Sequence, residues 1–338
     1  MKVNAELDFQ KRQSRRRWLI PGLLFSLGVG ICLGLALGSV QLSLPDLIAA
    51  LTGGTGQPVH EKIVMDLRLP RVLIGFIVGA CLAASGAILQ GVVRNPLADP
   101  GIIGVTAGGG LAAVLSMIVF PQFTYLLPAA AFLGALLAAL VVYILSFDQG
   151  VSPLKLILAG VAVNALLGAV MNGLMVLYSE RVQAVLPFLS GGLNGRSWHH
   201  LSFVSPYALA GLCLCFFAIK PANLLLLGDE SAQLLGLRVE RTRFFLIALA
   251  ALLAGAAVSV SGLIGFVGLV VPHFIRLLIG DDYRYLLPIS MLGGGVLVVF
   301  ADTAARVWFT PVELPVGILL ACIGAPFFLY LLKKKGRG

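Results

Sequence analysis

Runs of apolar residues, broken by short polar or charged connectors, recur along almost the whole chain. A helix rising roughly 1.5 Å per residue needs about 20 such residues to cross ~30 Å of hydrocarbon. Ten spans are predicted, over 18–41, 70–92, 102–120, 124–147, 154–178, 199–219, 243–261, 264–279, 285–308 and 314–332. The eighth differs from the rest, because Gly262, Gly265 and Gly268 crowd its start and Pro272 lies inside it. It reads as a broken helix lining a cavity, where freed backbone groups find partners within the protein. Small residues one turn apart, such as Gly75, Gly79 and Ala83, Gly104 and Gly108, or Gly134 and Ala138, predict closely approaching helices.

Composition makes the membrane reading secure. Of 338 residues, 59% are hydrophobic and 12% charged, with mean hydropathy +1.00, which excludes an ordinary soluble domain. The expected fold is an all-α integral membrane protein of about ten transmembrane helices, built as one multi-span unit over 18–332. A basic segment, 1–17, precedes it, and a basic tail, 333–338, follows it. Charge sets the orientation. With the N-terminus inside, only Lys62, Arg68, Arg71, Arg181, Arg196 and Arg306 of the 24 Lys and Arg fall outside. Both termini are therefore expected in the cytoplasm, and the net charge of +9 reflects topology, not nucleic-acid binding. Arg15, Arg16 and Arg17 before an apolar run resemble a signal-peptide start, but the run is too long and lacks a clear cleavage site, so an uncleaved first span is expected.

Little in the chain suggests chemistry of its own. Cys32, Cys81, Cys213, Cys215 and Cys322 all fall in predicted spans without CxxC spacing and read as packing residues. His60, His199, His200 and His273 lack ligand-type neighbours at i+4, so no metal site is expected. No G-x-x-x-x-G-K-[ST] occurs, so energy from ATP would have to come from another subunit.

Three polar features stand out from the apolar background. The first is Leu227 to Leu237, LGDESAQLLGL, inside a predicted cytoplasmic loop, 221–242. Asp229 or Ser231 can cap a short helix there and Gly236 can end it, which fits either a solvated connector or a docking handle. The second is the turn from Arg94 to Gly101, whose Pro96 and Pro100 forbid a continuous helix. The third is the set Arg68, Arg71 and Arg306 at the outer ends of two spans, readable as interfacial anchors or as docking charges. Asp302 and Arg306, one helical turn apart, are expected to pair.

In order, RLPR (68–71), QGVVRNPLADPGIIG (90–104), LAGVAVN (158–164), LGDESAQLLGL (227–237), GLIGFVGLVVPHFIR (262–276), ADTAAR (301–306), ELPVG (313–317) and GAPFFLYLL (324–332) closely resemble the FecCD family. These are permeases of ATP-driven importers for ferric siderophores, haem and vitamin B12. The resemblance implies the type II ABC importer permease fold, a homodimer in the bacterial cytoplasmic membrane, two ABC ATPase subunits and an extracytoplasmic substrate-binding protein. It implies no cofactor on this chain, with ATP and Mg on the partner ATPase. Carried over by position, Gly228, Asp229, Glu230, Ser231, Ala232, Leu235 and Gly236 form the ATPase-coupling segment. Asn95 and Leu97 fall at a cytoplasmic gate, with Ser152 and Pro153 at its second element. Arg68, Arg71 and Arg306 coincide with arginines that pair with acids on the binding protein.

Two other classes compete with import. An ion-coupled secondary transporter needs titratable groups near the bilayer midplane, yet Asp302 is the one obvious acid in a predicted span and lies toward its outer end. An intramembrane enzyme would need HExxH, GxSG or paired aspartates within the spans, none of which occurs. The expected cargo is a ferric siderophore, with haem or cobalamin as alternatives.

Overall fold

A computed structural model describes residues 2–52, 58–147, 152–310 and 312–335. The end of the basic tail, 336–338, lies outside the described residues. The architecture is all-helical. In chain order the helices are α1 (Lys2–Ala36), α2 (Leu44–Thr52), α3 (Pro58–Lys62), α4 (Leu69–Val93), α5 (Val105–Val114), α6 (Leu127–Ser146), α7 (Pro153–Leu177), α8 (Val182–Ser190), α9 (Trp198–Leu225), α10 (Asp229–Leu234), α11 (Val239–Ser261), α12 (Val267–Ile279), α13 (Tyr283–Val307) and α14 (Val316–Lys335).

Seven of these segments are long and apolar enough to cross a membrane: Arg15–Ala36, Pro58–Val93, Pro121–Ser146, Pro153–Leu177, Trp198–Leu225, Val239–Ser261 and Tyr283–Val307. Three shorter apolar helices, Val105–Val119, Val267–Ile279 and Val316–Leu329, coincide with the third, eighth and tenth expected spans. Ten full-length crossings are therefore not established. At roughly 1.5 Å per residue, Val105–Val119 and Val267–Ile279 reach only about 20 Å, whereas α14 reaches about 30 Å. α4, Leu69–Val93, matches the expected second span, and the helix continues before it through a wide turn at Ile63–Arg68 back to Pro58.

α4 is the centre of the bundle, packed against α13, α11, α9 and α12. Its apolar window is 83% buried, against 17% for α7, so α4 is core while α7 presents most of its surface to lipid or a partner. Close crossing explains the small residues. A Cβ on Gly79 would stand 2.1 Å from the Gly294 carbonyl oxygen, so α4 and α13 touch backbone to backbone there. The expected break before α12 is present: Gly262 to Phe266 are non-helical, and Phe266 adopts φ 67°. Buried Gln90 on α4 donates from its amide nitrogen to the carbonyls of Gly268 (3.3 Å) and Leu269 (3.2 Å) in the first turn of α12, where Pro272 offers Gly268 no N–H.

Candidate functional site

Two polar centres sit at opposite ends of α4. At its start the RLPR motif folds inward. Arg71 donates from Nε to Asp302 Oδ2 and from Nη2 to Asp302 Oδ1, both at 2.9 Å, and from Nη1 to Glu313 Oε2 at 2.8 Å. Arg306 lies 3.5 Å from the same Asp302 oxygen and donates to the Gly34 carbonyl at 2.9 Å. Arg68 donates to the carbonyls of Leu35 (2.6 Å), Ala36 (3.0 Å) and Val40, closing the C-terminal end of α1. The expected pair of Asp302 and Arg306 is thus the looser half of a larger cluster, whose tighter partner is Arg71.

The three arginines that the sequence offered as interfacial anchors or docking charges are turned inward. Arg68, Arg71 and Arg306 are 5%, 7% and 5% exposed, because each guanidinium is needed to neutralise a buried acid or cap a helix end. They instead wall a cavity of about 380 Å³, shared with Ser39, Asn194, Arg196 and Glu313. Arg196 was not singled out from sequence. Its guanidinium has no acid partner among the described residues, and burial lowers its pKa from the ordinary value. It donates from Nη1 to His200 Nε2 at 3.2 Å, and His200 Nδ1 sits against Ser197, 3.4 Å from its backbone N and 3.1 Å from Oγ, closing the turn before α9. His200 is thereby occupied locally, while His199 is exposed beside it.

At the other end of α4, Arg94 takes the left-handed conformation (φ 53°) and stops the helix. Asn95 Oδ1 accepts from Leu97 N at 2.9 Å, a side-chain-closed turn, and Asp99 Oδ1 accepts from Gly101 N at 2.8 Å to cap the tight turn Pro100–Ile103. Burial of the Asp99 carboxyl raises its pKa above the usual carboxylate value. α7 locks onto this turn. Asn164 Nδ2 donates to the Gly101 carbonyl at 2.8 Å, and a Cβ on Gly160 would lie 1.7 Å from the Ile102 carbonyl oxygen. Ser152, whose carbonyl accepts from Leu156 N at 2.9 Å, and Pro153 begin that same α7. The two expected gate elements therefore belong to one packed unit.

The LGDESAQLLGL segment forms α10 between Gly228 (φ 99°) and Gly236 (φ 83°), each with open space where a Cβ would be. Glu230, Ser231, Leu234 and Leu235 are exposed, with Leu234 at 89%, whereas Ala232 is fully buried in the main core. The exposed leucine pair beside a carboxylate makes a small surface that is both apolar and acidic. Asp229 behaves differently from its neighbour. Its carboxylate is held inward by Arg243 Nη2, 2.7 Å from both oxygens, and by Arg94. Sequence reasoning missed both arginines; opposite charges on one predicted membrane side were the available signal, but no spacing rule links Arg94 to an acid 135 positions away.

Comparison with known proteins settles the family. Residues 26–334 match the FecCD transport family. The chain belongs to the FecCD transport family. Within it, the chain is 41% identical over 329 residues to the Fe(3+)-citrate import system permease protein YfmE of Bacillus subtilis, covering 97% of each. It is 46% identical over 276 residues to the cobalamin import system permease protein BtuC of Halobacterium salinarum, covering 81% of this chain and 74% of that one. It is 40% identical over 324 residues to the hemin transport system permease protein HmuU of Yersinia pestis, covering 94% and 96%. A solved chain described as an inward-facing metal-chelate type ABC transporter superposes with TM-score 0.84 at 33% identity, covering 94% of this chain and 99% of that one. This FecCD chain is accordingly a multi-pass membrane permease of the ABC importer class, a transport subunit and not a catalytic one.

Proposed function

We propose that this permease carries a metal chelate inward across the bacterial cytoplasmic membrane, with a ferric siderophore as the cargo and haem or cobalamin as the alternatives. Relatives named for Fe(3+)-citrate, iron(3+)-hydroxamate, hemin and cobalamin support the range of cargo. In this reading the protein has the ten-crossing type II importer fold, with both termini cytoplasmic. Two copies form the path, and two ABC ATPase subunits hold the ATP and Mg.

The single observation that carries the reading is α10, a six-residue helix with its apolar and acidic face outside the bundle and glycines at either end. Such a face has no role in a self-contained carrier and suits a cleft on a motor subunit. The ATPase would bind Glu230, Leu234 and Leu235 and displace α10 as it closes, moving the Asn95 and Leu97 turn. Poor burial of α7 supports the dimer. Its exposed Asn172 lies well inside an apolar helix, where a polar amide facing lipid is costly, so this face suits the path between two copies.

At the opposite end, the arginine-walled cavity suits an acidic side chain of the substrate-binding protein. Arg71 and Arg306 are already neutralised by Asp302 and Glu313, which leaves Arg196 and Arg68 as the cavity's charges without an acid partner among the described residues. The test is uptake into proteoliposomes containing the permease, its ATPase and its binding protein, with labelled ferric siderophore, haem and cobalamin compared with and without ATP. ATP-dependent accumulation of one of them establishes coupling and cargo together. Accumulation that survives ATP depletion and collapses with an uncoupler would overturn the reading in favour of ion coupling.

A further inference from the structure

α10 and the turn after α4 are far apart in sequence but share an ion pair. Asp229, the first residue of α10, is bonded by the guanidinium of Arg94, the residue that ends α4. Arg94 also donates from Nε to the Leu225 carbonyl at 3.2 Å, at the end of α9, so its side chain spans three helix ends. Arg243 on α11, almost fully buried, holds the other side of the Asp229 carboxylate and so fixes its direction. Directly after Arg94 come Asn95, Pro96 and Leu97, stiffened by the Asn95–Leu97 hydrogen bond and by the proline ring.

The mechanical consequence follows from where α10 is free and where it is tied. Gly228 and Gly236 give it compliant ends, and Ala232 gives it an apolar pivot in the core. Apart from that pivot and the bond from Asp229 to Arg243 on α11, α10 is tied toward the gate turn through Asp229 and Arg94. Both side chains are more than a third exposed, so the pair adds little to equilibrium stability. Removing it should leave a folded permease.

We propose that Arg94 and Asp229 form a strut that carries displacement of α10 to the Asn95–Leu97 turn, making Arg94 a positioning residue for the cytoplasmic gate. The inference rests on the importer reading, in which a partner ATPase pushes on α10. It gives two neighbouring acids different roles, with Glu230 facing the partner and Asp229 facing the gate.

The test uses the full permease–ATPase complex in nanodiscs, carrying Leu97→Cys with exposed Cys32, Cys213 and Cys322 changed to Ala. Labelling by a water-soluble maleimide is measured with and without Mg-ATP and vanadate, beside ATPase co-purification and hydrolysis rate. In the Leu97→Cys parent, nucleotide changes the labelling rate. Adding Arg94→Gln is expected to keep the ATPase bound and hydrolysing while the nucleotide dependence of labelling is lost. Asp229→Asn should likewise lose the nucleotide dependence of labelling, and Asp229→Glu should keep it, which a merely structural role would not require. An Arg94→Gln complex that still responds fully to nucleotide overturns the strut while leaving the importer reading intact. A parent that shows no response, or binds no ATPase, overturns the importer reading itself and the strut with it.

Discussion

Arg71 and Asp302, 231 positions apart, meet through two parallel hydrogen bonds of 2.9 Å inside the bundle. The geometry is the bidentate fit of a planar guanidinium to a carboxylate, and it ties the start of α4 to the end of α13. Because Arg306 shares the same carboxylate, one acid neutralises two buried cations, with Glu313 as the second counter-charge.

Changing Asp302→Ala should therefore be among the most damaging single substitutions. It strands buried Arg71 and Arg306, and breaking a buried pair costs about 3–5 kcal/mol. Thermal unfolding in detergent is expected to shift down by several degrees or the folded protein to be lost; an unchanged midpoint would remove the cluster from the stability account.

Glu230→Arg should leave the permease folded, since the side chain is exposed at the start of α10. Its expected effect is loss of ATPase co-purification. An ATPase that still binds with unaltered affinity would show that the docking face lies elsewhere.

For the opposite end, Arg196→Glu should weaken binding-protein association and reverse its salt dependence, because a charge in a docking cavity acts on encounter and register and is screened by ions. Arg68→Gln should instead lower stability, since Arg68 closes the end of α1 through three carbonyls. Titrating association against ionic strength, next to melting curves, separates the two roles.

Gly160→Val should displace α7 from the Pro100–Ile103 turn, given that even a Cβ would overlap the Ile102 carbonyl at 1.7 Å. Faster proteolysis or maleimide labelling near residues 95–104 is the expected readout. Equal rates would mean that the contact can relax without moving the turn.

Asp99 gives a pH dependence of predictable sign. Burial raises its pKa above the unfolded value, so the folded state prefers the protonated form and stability falls as pH rises through the interval between the two. Asp99→Asn keeps an acceptor for Gly101 N without the charge. It should flatten that slope and leave the midpoint at neutral pH equal or higher; a clear loss of stability there would show that the charge itself is wanted.

How much of this was readable in the chain differs from element to element. The apolar runs placed every long helix, because a span must satisfy its own backbone and be apolar over a length set by the bilayer, both local properties. Gly262, Gly265, Gly268 and Pro272 likewise announced the broken start of α12. LGDESAQLLGL offered a short helix ended by Gly236, although Gly228 and not Asp229 or Ser231 stands at its start, and the ordered motifs announced the family.

Tertiary structure alone decided what the polar residues do. Local spacing offered Arg306 as the partner of Asp302, yet folding brings Arg71 closer, and the same inward turn removes Arg68 and Arg71 from the surface. Asp229 and Glu230 are adjacent acids with equal standing in the sequence, and only the approach of Arg94 and Arg243 separates them into an inward and an outward charge. The physical reason is that hydrophobicity is additive along a segment, whereas a salt bridge depends on distance between residues that the fold, not the sequence order, brings together.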